Sequence, residues 1–380
     1  MTSKPTGPLK GIKVLEFAGI GPGPFACMLL SDMGADIVTI RRPGQLKRDK
    51  GDLVNRGRRS IKLDLKKAEN VATALQLIGK ADVLIEGFRP KIMEKLGLGP
   101  DVALSKNPRL IYGRVTGWGQ EGPLSQAAGH DINYVAVTGA LDSFRASNGE
   151  IVSPLNLVGD YGGGALYLVV GVLAALVEAR SSGHGQVIDV AMCDGVASLI
   201  TMFHALSAIG AWSDKPRTNI IDGGAHFYRV YECKDGRHFS LGAVEPQFYA
   251  ELLQRVGIDN SEFDHQNDRA NWPNLQKKLE AVFRTKTRDE WSALLEGTDA
   301  CAMAVMTMHE APKHPHLAAR GTFIDFDGHL HPAPAPRFSR TPSSIQSSPS
   351  EGRADARSVL ASWDDSMSGR VKSMQSVGVA

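Results

Sequence analysis

The stretch "AAGHDINY", residues 127–134, sets His130 beside Asp131 among small, amide and apolar residues. Imidazole takes and returns protons near neutral pH, so His130 is a candidate base. A lone histidine in half-apolar surroundings is more often hydrogen-bonded structure than catalyst, and a partner elsewhere in the chain must decide. The second stretch is "PLNLVGDYGGGALYLVVG", residues 154–171, where Asp160 precedes Gly162, Gly163 and Gly164 and a long apolar run. The position reads as the N-cap of that helix, a role Asp160 alone would fill. Each glycine costs a helix about 1 kcal/mol relative to alanine, which points to a backbone that must approach a ligand closely. Free N–H groups at the helix start would then hold a developing oxyanion, an enolate or a tetrahedral intermediate, with Asp160 beside it. The helix dipole favours the ionised carboxylate of Asp160 and burial favours the protonated form, so the two oppose each other.

The elements that must position these residues alternate. "IKVLEFAG", "DIVTIRRP", "SIKLDL", "DVLIEGF" and "RLIYGRVTGWG" read as strands, with helical stretches such as "GPFACMLLSDMGA" and "KAENVATALQLIGKA" between them. That rhythm builds an α/β fold, a parallel sheet with covering helices in a doubly wound, Rossmann-like domain. "GIGPGP", residues 19–24, follows a strand and opens a helix, but Pro24 takes the third glycine's place. The next strand runs into Arg41 and Arg42 rather than an acidic residue, so a nicotinamide-dinucleotide site is not expected. "GQVIDVAMCDGVASLITMFHALSAIG" adds a strand and a helix, and "AWSDKPRTNIIDGGAH" is a Gly/Asp/Pro-rich link. "FYRVYECKDGRHFSLGA" reads as a hairpin around Asp235-Gly236, followed by helical stretches near 246–256 and 271–297. A further hairpin is expected at Asp327-Gly328, then a polar helix with loose ends from about Ser343. The expected organisation is a large Rossmann-like domain over 1–200, a linker over 201–224, a small α+β domain over 225–320, and a return linker and C-terminal segment over 321–380 that packs on the large domain.

At 380 residues the chain is long enough for two domains that each bury a core. Cys27, Cys193, Cys233 and Cys301 form no CxxC pair, which fits ordinary packing in a reducing compartment. The opening "MTSKPTGPLKGIKVLEF" has no long apolar run, so a cytoplasmic location is the expectation. "ALYLVVGVLAALVEA", residues 165–179, falls short of the roughly 20 residues a bilayer span needs and reads as a buried helix, with no membrane expected. His314, His316, His329 and His331 lack the spacing of a metal site, and no metal is expected. A net charge of +2 is too balanced for a nucleic-acid binder. It conceals a local excess at Arg41, Arg42, Lys47, Arg48, Lys50, Arg56, Arg58, Arg59 and Lys62, opposed there only by Asp49 and Asp52. An anion of modest size is the expected ligand of that segment.

"GIKVLEFAGIGPGPFACMLLSDMGADIVTIRRPG", "RGRRSIKLDLK", "DVLIEGFRP", "LGLGP", "NPRLIYGRVTGWGQEGP", "GHDINY", "NLVGDYGGG" and "GQVIDVAMCDG" follow one another in that order. On these segments the chain resembles the family III CoA-transferase (CaiB/BaiF-type) superfamily, in its α-methylacyl-CoA racemase branch. The likeness is strong over about residues 8–200 and continues through "EPQFYAELLQRVG" and "HPHLAARG". Transferases of the superfamily use an aspartate as nucleophile, whereas racemases use a histidine and that aspartate as two bases. Asp160 matches the shared position, and His130 in "GHD" matches the racemase branch, so the resemblance makes His130 a base rather than a core residue. The chemistry fits these residue types independently: inverting a carbon next to a thioester carbonyl needs one group to remove the α-proton and another, on the opposite face, to return one. Neutral imidazole with protonated carboxyl, and imidazolium with carboxylate, are the two states that serve the two hands of substrate.

The resemblance implies further roles. Glu245 in "AVEPQF" matches a glutamate that orients the histidine, and lying in the small domain it would come from the other subunit; a surface or cap carboxylate is its plain alternative. Asn156 and Tyr161 flank the aspartate and would position the thioester or order the loop. Arg42, Arg59, Arg89 and Arg114 are candidates for the phosphates of coenzyme A, by resemblance and by charge. Coenzyme A arrives as part of the substrate, so no bound cofactor is implied. The implied architecture is a homodimer of interlaced subunits. Two other readings stay open: a CoA transferase in which Asp160 attacks the thioester to form a mixed anhydride, and a non-catalytic CoA- or nucleic-acid-binding protein on the same scaffold.

Overall fold

The structure is a computed structural model that describes residues 6–44, 51–146, 148–349 and 354–364. Lys47, Arg48 and Lys50 of the basic run, and residues 365–380 of the C-terminal segment, lie outside the described residues. The chain forms two compact units, one made of Met1–Thr138, Pro154–Leu199 and Ala319–Ala380, the other of Gly139–Ser153 and Ile200–Ala318. Residues 139–153, placed in the large domain by the sequence pattern, group with the second unit as a short excursion closed by an Arg145–Ile151 bridge.

The first unit alternates strands and helices: β1 (Lys13–Phe17), α1 (Pro22–Asp32), β2 (Asp36–Arg41), β3 (Arg58–Lys62), α2 (Ala68–Ile78), β4 (Val83–Glu86), α3 (Ile92–Lys95), α4 (Pro100–Lys106), β5 (Ile111–Thr116) and α5 (Asp131–Val137). After Pro154 come a helical segment over Leu157–Leu166, α6 (Tyr167–Ser182), β6 (Gln186–Ala191) and α7 (Met192–Leu199). The strands form one six-stranded sheet in the order β3-β2-β1-β4-β5-β6, every pair parallel. Val14 pairs with Ile37 on one side and Val83 on the other, and β1 and β4 are buried along their whole length because helices cover both faces. Strand order reverses between β1 and β4, so the loops leaving these two strands part and open a crevice at their carboxyl ends.

One face of the sheet packs Ala26 and Leu30 of α1 with Leu168 and Val172 of α6. The other packs Leu77 of α2 with Val359 and Trp363 from a C-terminal helix over 356–364. That helix, expected to be polar with loose ends, is anchored where it is described: the Trp363 indole donates to Asp36 at 2.8 Å, and Lys13 Nζ donates to the Trp363 carbonyl at 2.5 Å. The stripe of Val359 and Trp363 is what docks it.

Two arginines of the basic run are structural. Arg58 places Nη1 2.8 Å from each oxygen of the buried Glu16 carboxylate, which also accepts from Thr39 at 2.5 Å. Arg56 forks onto the buried Asp32 with Nε at 3.1 Å and Nη2 at 2.5 Å, and its Nη1 reaches the Pro332 carbonyl at 2.9 Å and His331 Nδ1 at 3.2 Å. His331 belongs to the hairpin of β10 (Phe323–Phe326) and β11 (His329–Pro332), turning at Asp327-Gly328 as expected, and is fully buried. Burial first, then the Arg56 charge, lowers its pKa.

The helical segment Leu157–Leu166 is wound as a π-helix that runs into α6. Its glycines serve packing. A Cβ on Gly163 would stand 2.8 Å from the Met192 carbonyl oxygen, and one on Gly164 would stand 2.9 Å from both Pro22 and Met192. A Cβ on Gly195 of α7 would meet the Gly163 carbonyl oxygen at 2.0 Å, so the two helices touch backbone to backbone.

In the second unit, α8 (Thr201–Ala208) precedes an antiparallel sheet of β7 (Tyr228–Glu232), β8 (His238–Gly242) and β9 (Ala302–Ala304), packed by α9 (Pro246–Val256), α10 (Trp272–Phe283) and α11 (Arg288–Leu295). The β7–β8 hairpin turns at Asp235-Gly236 as expected. The stretch 271–297, expected to be helical throughout, breaks between α10 and α11. Thr287 and Glu290 form a capping box there, the Thr287 N–H reaching Glu290 at 2.8 Å. A short helix, α12 (Pro315–Ala319), then leads to the hairpin.

Gly195→Ala and Gly163→Ala should each lower unfolding free energy by about 1–3 kcal/mol or more through overpacking. Gly19→Ala, whose Cβ meets nothing within 4 Å, should change it by less than about 0.5 kcal/mol. Denaturant unfolding of the three variants checks this.

Candidate active site

The crevice at the carboxyl ends of β1, β4 and β5 is a cavity of about 350 Å³. Its wall includes the Gly19–Pro24 turn, the Gly87–Pro90 turn, Trp118, His130, Tyr134 and Asp160. It lies where strand order reverses, the position at which open α/β sheets bind ligands.

His130 stands immediately before α5. Its N–H donates to Asn133 Oδ1 at 3.0 Å and its carbonyl accepts from the Asn133 N–H at 2.8 Å, so the turn fixes the main chain and leaves the residue exposed at the cavity. The contrast with His226 is instructive. His226 is fully buried, with Nε2 2.6 Å from the Tyr249 hydroxyl, and burial drives its pKa down to about 4. That is what a core histidine looks like in this protein, and His130 is not one.

Asp160 is not the N-cap. Asn156 holds that position and Asp160 lies one turn inside the π-helical segment. The Gly162 and Gly163 N–H groups are likewise interior, in a segment whose Tyr161 N–H turns back to the Asn156 carbonyl at 3.3 Å. They do not form the expected oxyanion hole; the glycines are required by the contact with α7. The Asp160 N–H donates to Asp131 Oδ2 at 2.6 Å, and the Asn156 side chain hydrogen-bonds the Asp160 carboxyl. Gly21, with φ +68°, lets the chain pass that carboxyl, since a Cβ there would sit 2.9 Å from Asp160 Oδ2. Burial, and next the Asp131 charge, raise the Asp160 pKa above the usual carboxylate value, against the opposing effects of Asn156 and His130.

Tyr161 stacks on Phe25 with ring centres 4.0 Å apart, tying the π-helix to α1 rather than lining the cavity. Tyr134, which the sequence did not single out, fastens the loop that delivers His130. Its hydroxyl donates to the Gly129 carbonyl, and its ring fills the space that Cβ atoms on Gly117 and Gly129 would occupy. Asp131 and Gly21 were also missed as individual residues, although "GHDINY" and "GIGPGP" contain them.

The four arginines separate. Arg89 is exposed on the cavity wall and Arg42 is exposed just beyond β2. Arg114 is buried, with Nε 2.7 Å from Glu86 and Nη1 2.8 Å from Glu94, so its guanidinium is committed. Glu86 in turn accepts the Phe88 N–H at 2.7 Å, which makes Arg114 a brace for the turn carrying Arg89. Arg59 spends Nε and Nη2 on Asp36 at 3.2 and 2.6 Å and Nη1 on Ser362 at 3.2 Å. Neither Arg59 nor Arg114 offers the free fork expected of a phosphate ligand. Glu245 is exposed at the N-terminal edge of α9, in the second unit.

A carboxyl whose pKa is raised on folding gives up stability as pH rises from its unfolded value, near 4, through its folded value, because the unfolded chain ionises first. Asp160→Asn should therefore raise the melting temperature at pH 7 to 8, with the difference from the parent protein vanishing below about pH 4. Thermal unfolding across that range checks the sign.

The model of CoA-transferase family III matches residues 9–354. The α-methylacyl-CoA racemase of Mus musculus is 44% identical over 347 residues, covering 90% of each chain. That of Homo sapiens is 41% identical over 335 residues, covering 88% of this chain and 87% of its own. The crystal structure of Rv3272 from Mycobacterium tuberculosis superposes with a TM-score of 0.77 at 27% identity, over 93% of this chain and 98% of that one. A match that runs through both compact units, with relatives above 40% identical along most of their length, places the chain in CoA-transferase family III.

Proposed function

We propose that the protein racemises 2-methylacyl-CoA thioesters at C2 through an enolate. The observation that carries the reading is an exposed imidazole and a carboxyl disposed to hold a proton on the wall of one cavity. One of the pair removes the α-proton and the other delivers a proton to the opposite face, and for the other hand of substrate the roles exchange. The mouse and human relatives, both named α-methylacyl-CoA racemase, support the same chemistry. Coenzyme A enters as the substrate's own handle, with Arg89 and Arg42 as its phosphate contacts.

Glu245 orients His130 from a second copy of the chain in an interlaced homodimer. What supports a dimer is apolar surface: Val170 and Val177 on α6 are 65% and 66% exposed, and α8 has no buried residue. The long apolar helix is therefore buried along one side only. Transfer of CoA is the second reading. It needs Asp160 ionised as a nucleophile, and the burial and the Asp131 charge that oppose ionisation weigh against it.

Incubation of pure (2R)- or (2S)-2-methylacyl-CoA in D₂O should place deuterium at C2 and erase stereochemical purity, followed by NMR. His130→Ala and Asp160→Ala should each slow exchange by about 100-fold or more. Absence of exchange, with hydroxylamine trapping an acyl group on Asp160, would establish transfer instead.

A further inference from the structure

Asp131 is a buried carboxylate that the reaction does not consume. It is 8% exposed, and only one of its oxygens, Oδ2, is engaged, by the Asp160 N–H at 2.6 Å. Oδ1 is buried without a hydrogen-bond partner. Room for the carboxylate comes from Gly159, where a Cβ would stand 2.6 Å from Asp131 Oδ2. Leaving a buried carboxylate half-satisfied is costly, and such a group persists where it serves the site.

On the racemase reading, we infer that Asp131 is a positioning residue acting through Asp160. It fixes the Asp160 main chain by a hydrogen bond and, by a like charge that pairs with no cation among the described residues, biases the Asp160 carboxyl toward holding its proton. An aspartate in bulk water would be fully ionised at neutral pH and could not protonate an enolate.

The other groups around Asp160 leave this role to Asp131. From α5 and its N-terminal edge come His130, whose charge acts in the opposite sense, and Tyr134, whose hydroxyl pKa is raised by burial. From α7 come Cys193, its thiol pKa also raised by burial, and Asp194 beside it. From α1 come buried Cys27 and Asp32, the latter paired with Arg56. From α6 comes Tyr167, the charged Glu178 and Arg180 standing in its last turns, about four to five turns of helix beyond Asp160; β5 brings Arg114, committed to Glu86 and Glu94, and β6 brings Asp189, which accepts the Gln120 N–H. Arg89 lies across the cavity. Asp131 is the one charge among them that both raises the Asp160 pKa and bonds its main chain.

Asp131→Asn keeps an acceptor for the Asp160 N–H and removes the charge, and Asp131→Ser is a second variant of different shape. In full-length protein carrying ¹³C-labelled aspartate, with Asp160 assigned from Asp160→Asn, the Asp160 titration midpoint should fall by about one pH unit in either variant. The pH profile of α-deuterium exchange should move to lower pH by a similar amount, on both limbs, because the pair titrates as a unit. A lower rate with midpoint and profile unmoved would make Asp131 merely structural and overturn the inference. A moved midpoint in a protein whose parent exchanges no α-hydrogen would support control of Asp160 by Asp131 while overturning the racemase reading.

Discussion

The site depends on one steric constraint, the approach of two backbones at Gly163 and Gly195. The π-helical segment can lie against α7 only because neither position carries a Cβ. That contact sets where Asp160 projects and brings Met192, at the start of α7, to the cavity wall. The wider π-helical winding places Asp160 one turn inside the helix, where its N–H faces the Asp131 carboxylate. The Asp160 carboxyl is thus located by packing, and the burial this packing imposes, with the Asp131 charge next, raises its pKa.

Charge is divided between scaffold and surface by the same logic. Arg56, Arg58 and Arg114 each lie on a buried carboxylate, and removal of one partner would strand the other in a low-dielectric interior. These pairs brace the loops that leave the sheet, whereas Arg89 and Arg42 remain open to solvent. A cluster of arginines in sequence is therefore a poor guide to phosphate contacts. The carboxylates that neutralise Arg56, Arg58 and Arg114 lie between 20 and 42 residues away in the chain.

Much of the fold was legible in the sequence because the buried parallel strands are mostly apolar runs, and the Asp235-Gly236 and Asp327-Gly328 turns declare their hairpins. The break between α10 and α11 was also written there, in the Thr287–Glu290 box, and was passed over. His130 and Asp160, singled out from residue type and family likeness, lie on the wall of one cavity. What the sequence could not disclose were relations across space: glycines answering a helix rather than a ligand, Arg59 held by Asp36, and Asp131 bonded to a residue 29 positions away.

The docking of Trp363 has a consequence for how the protein is made. Lys13 opens the sheet, yet its ammonium is capped by a carbonyl 350 residues later, and the cluster around Leu15 and Val38 closes only over Val359 and Trp363. Contacts of such sequence separation cannot form until residue 363 has left the ribosome. The second unit draws most of its residues from the continuous stretch 200–318, and can complete its core while the large unit still lacks its last helix. During synthesis the small unit is thus finished before the large unit, although the large unit is begun first.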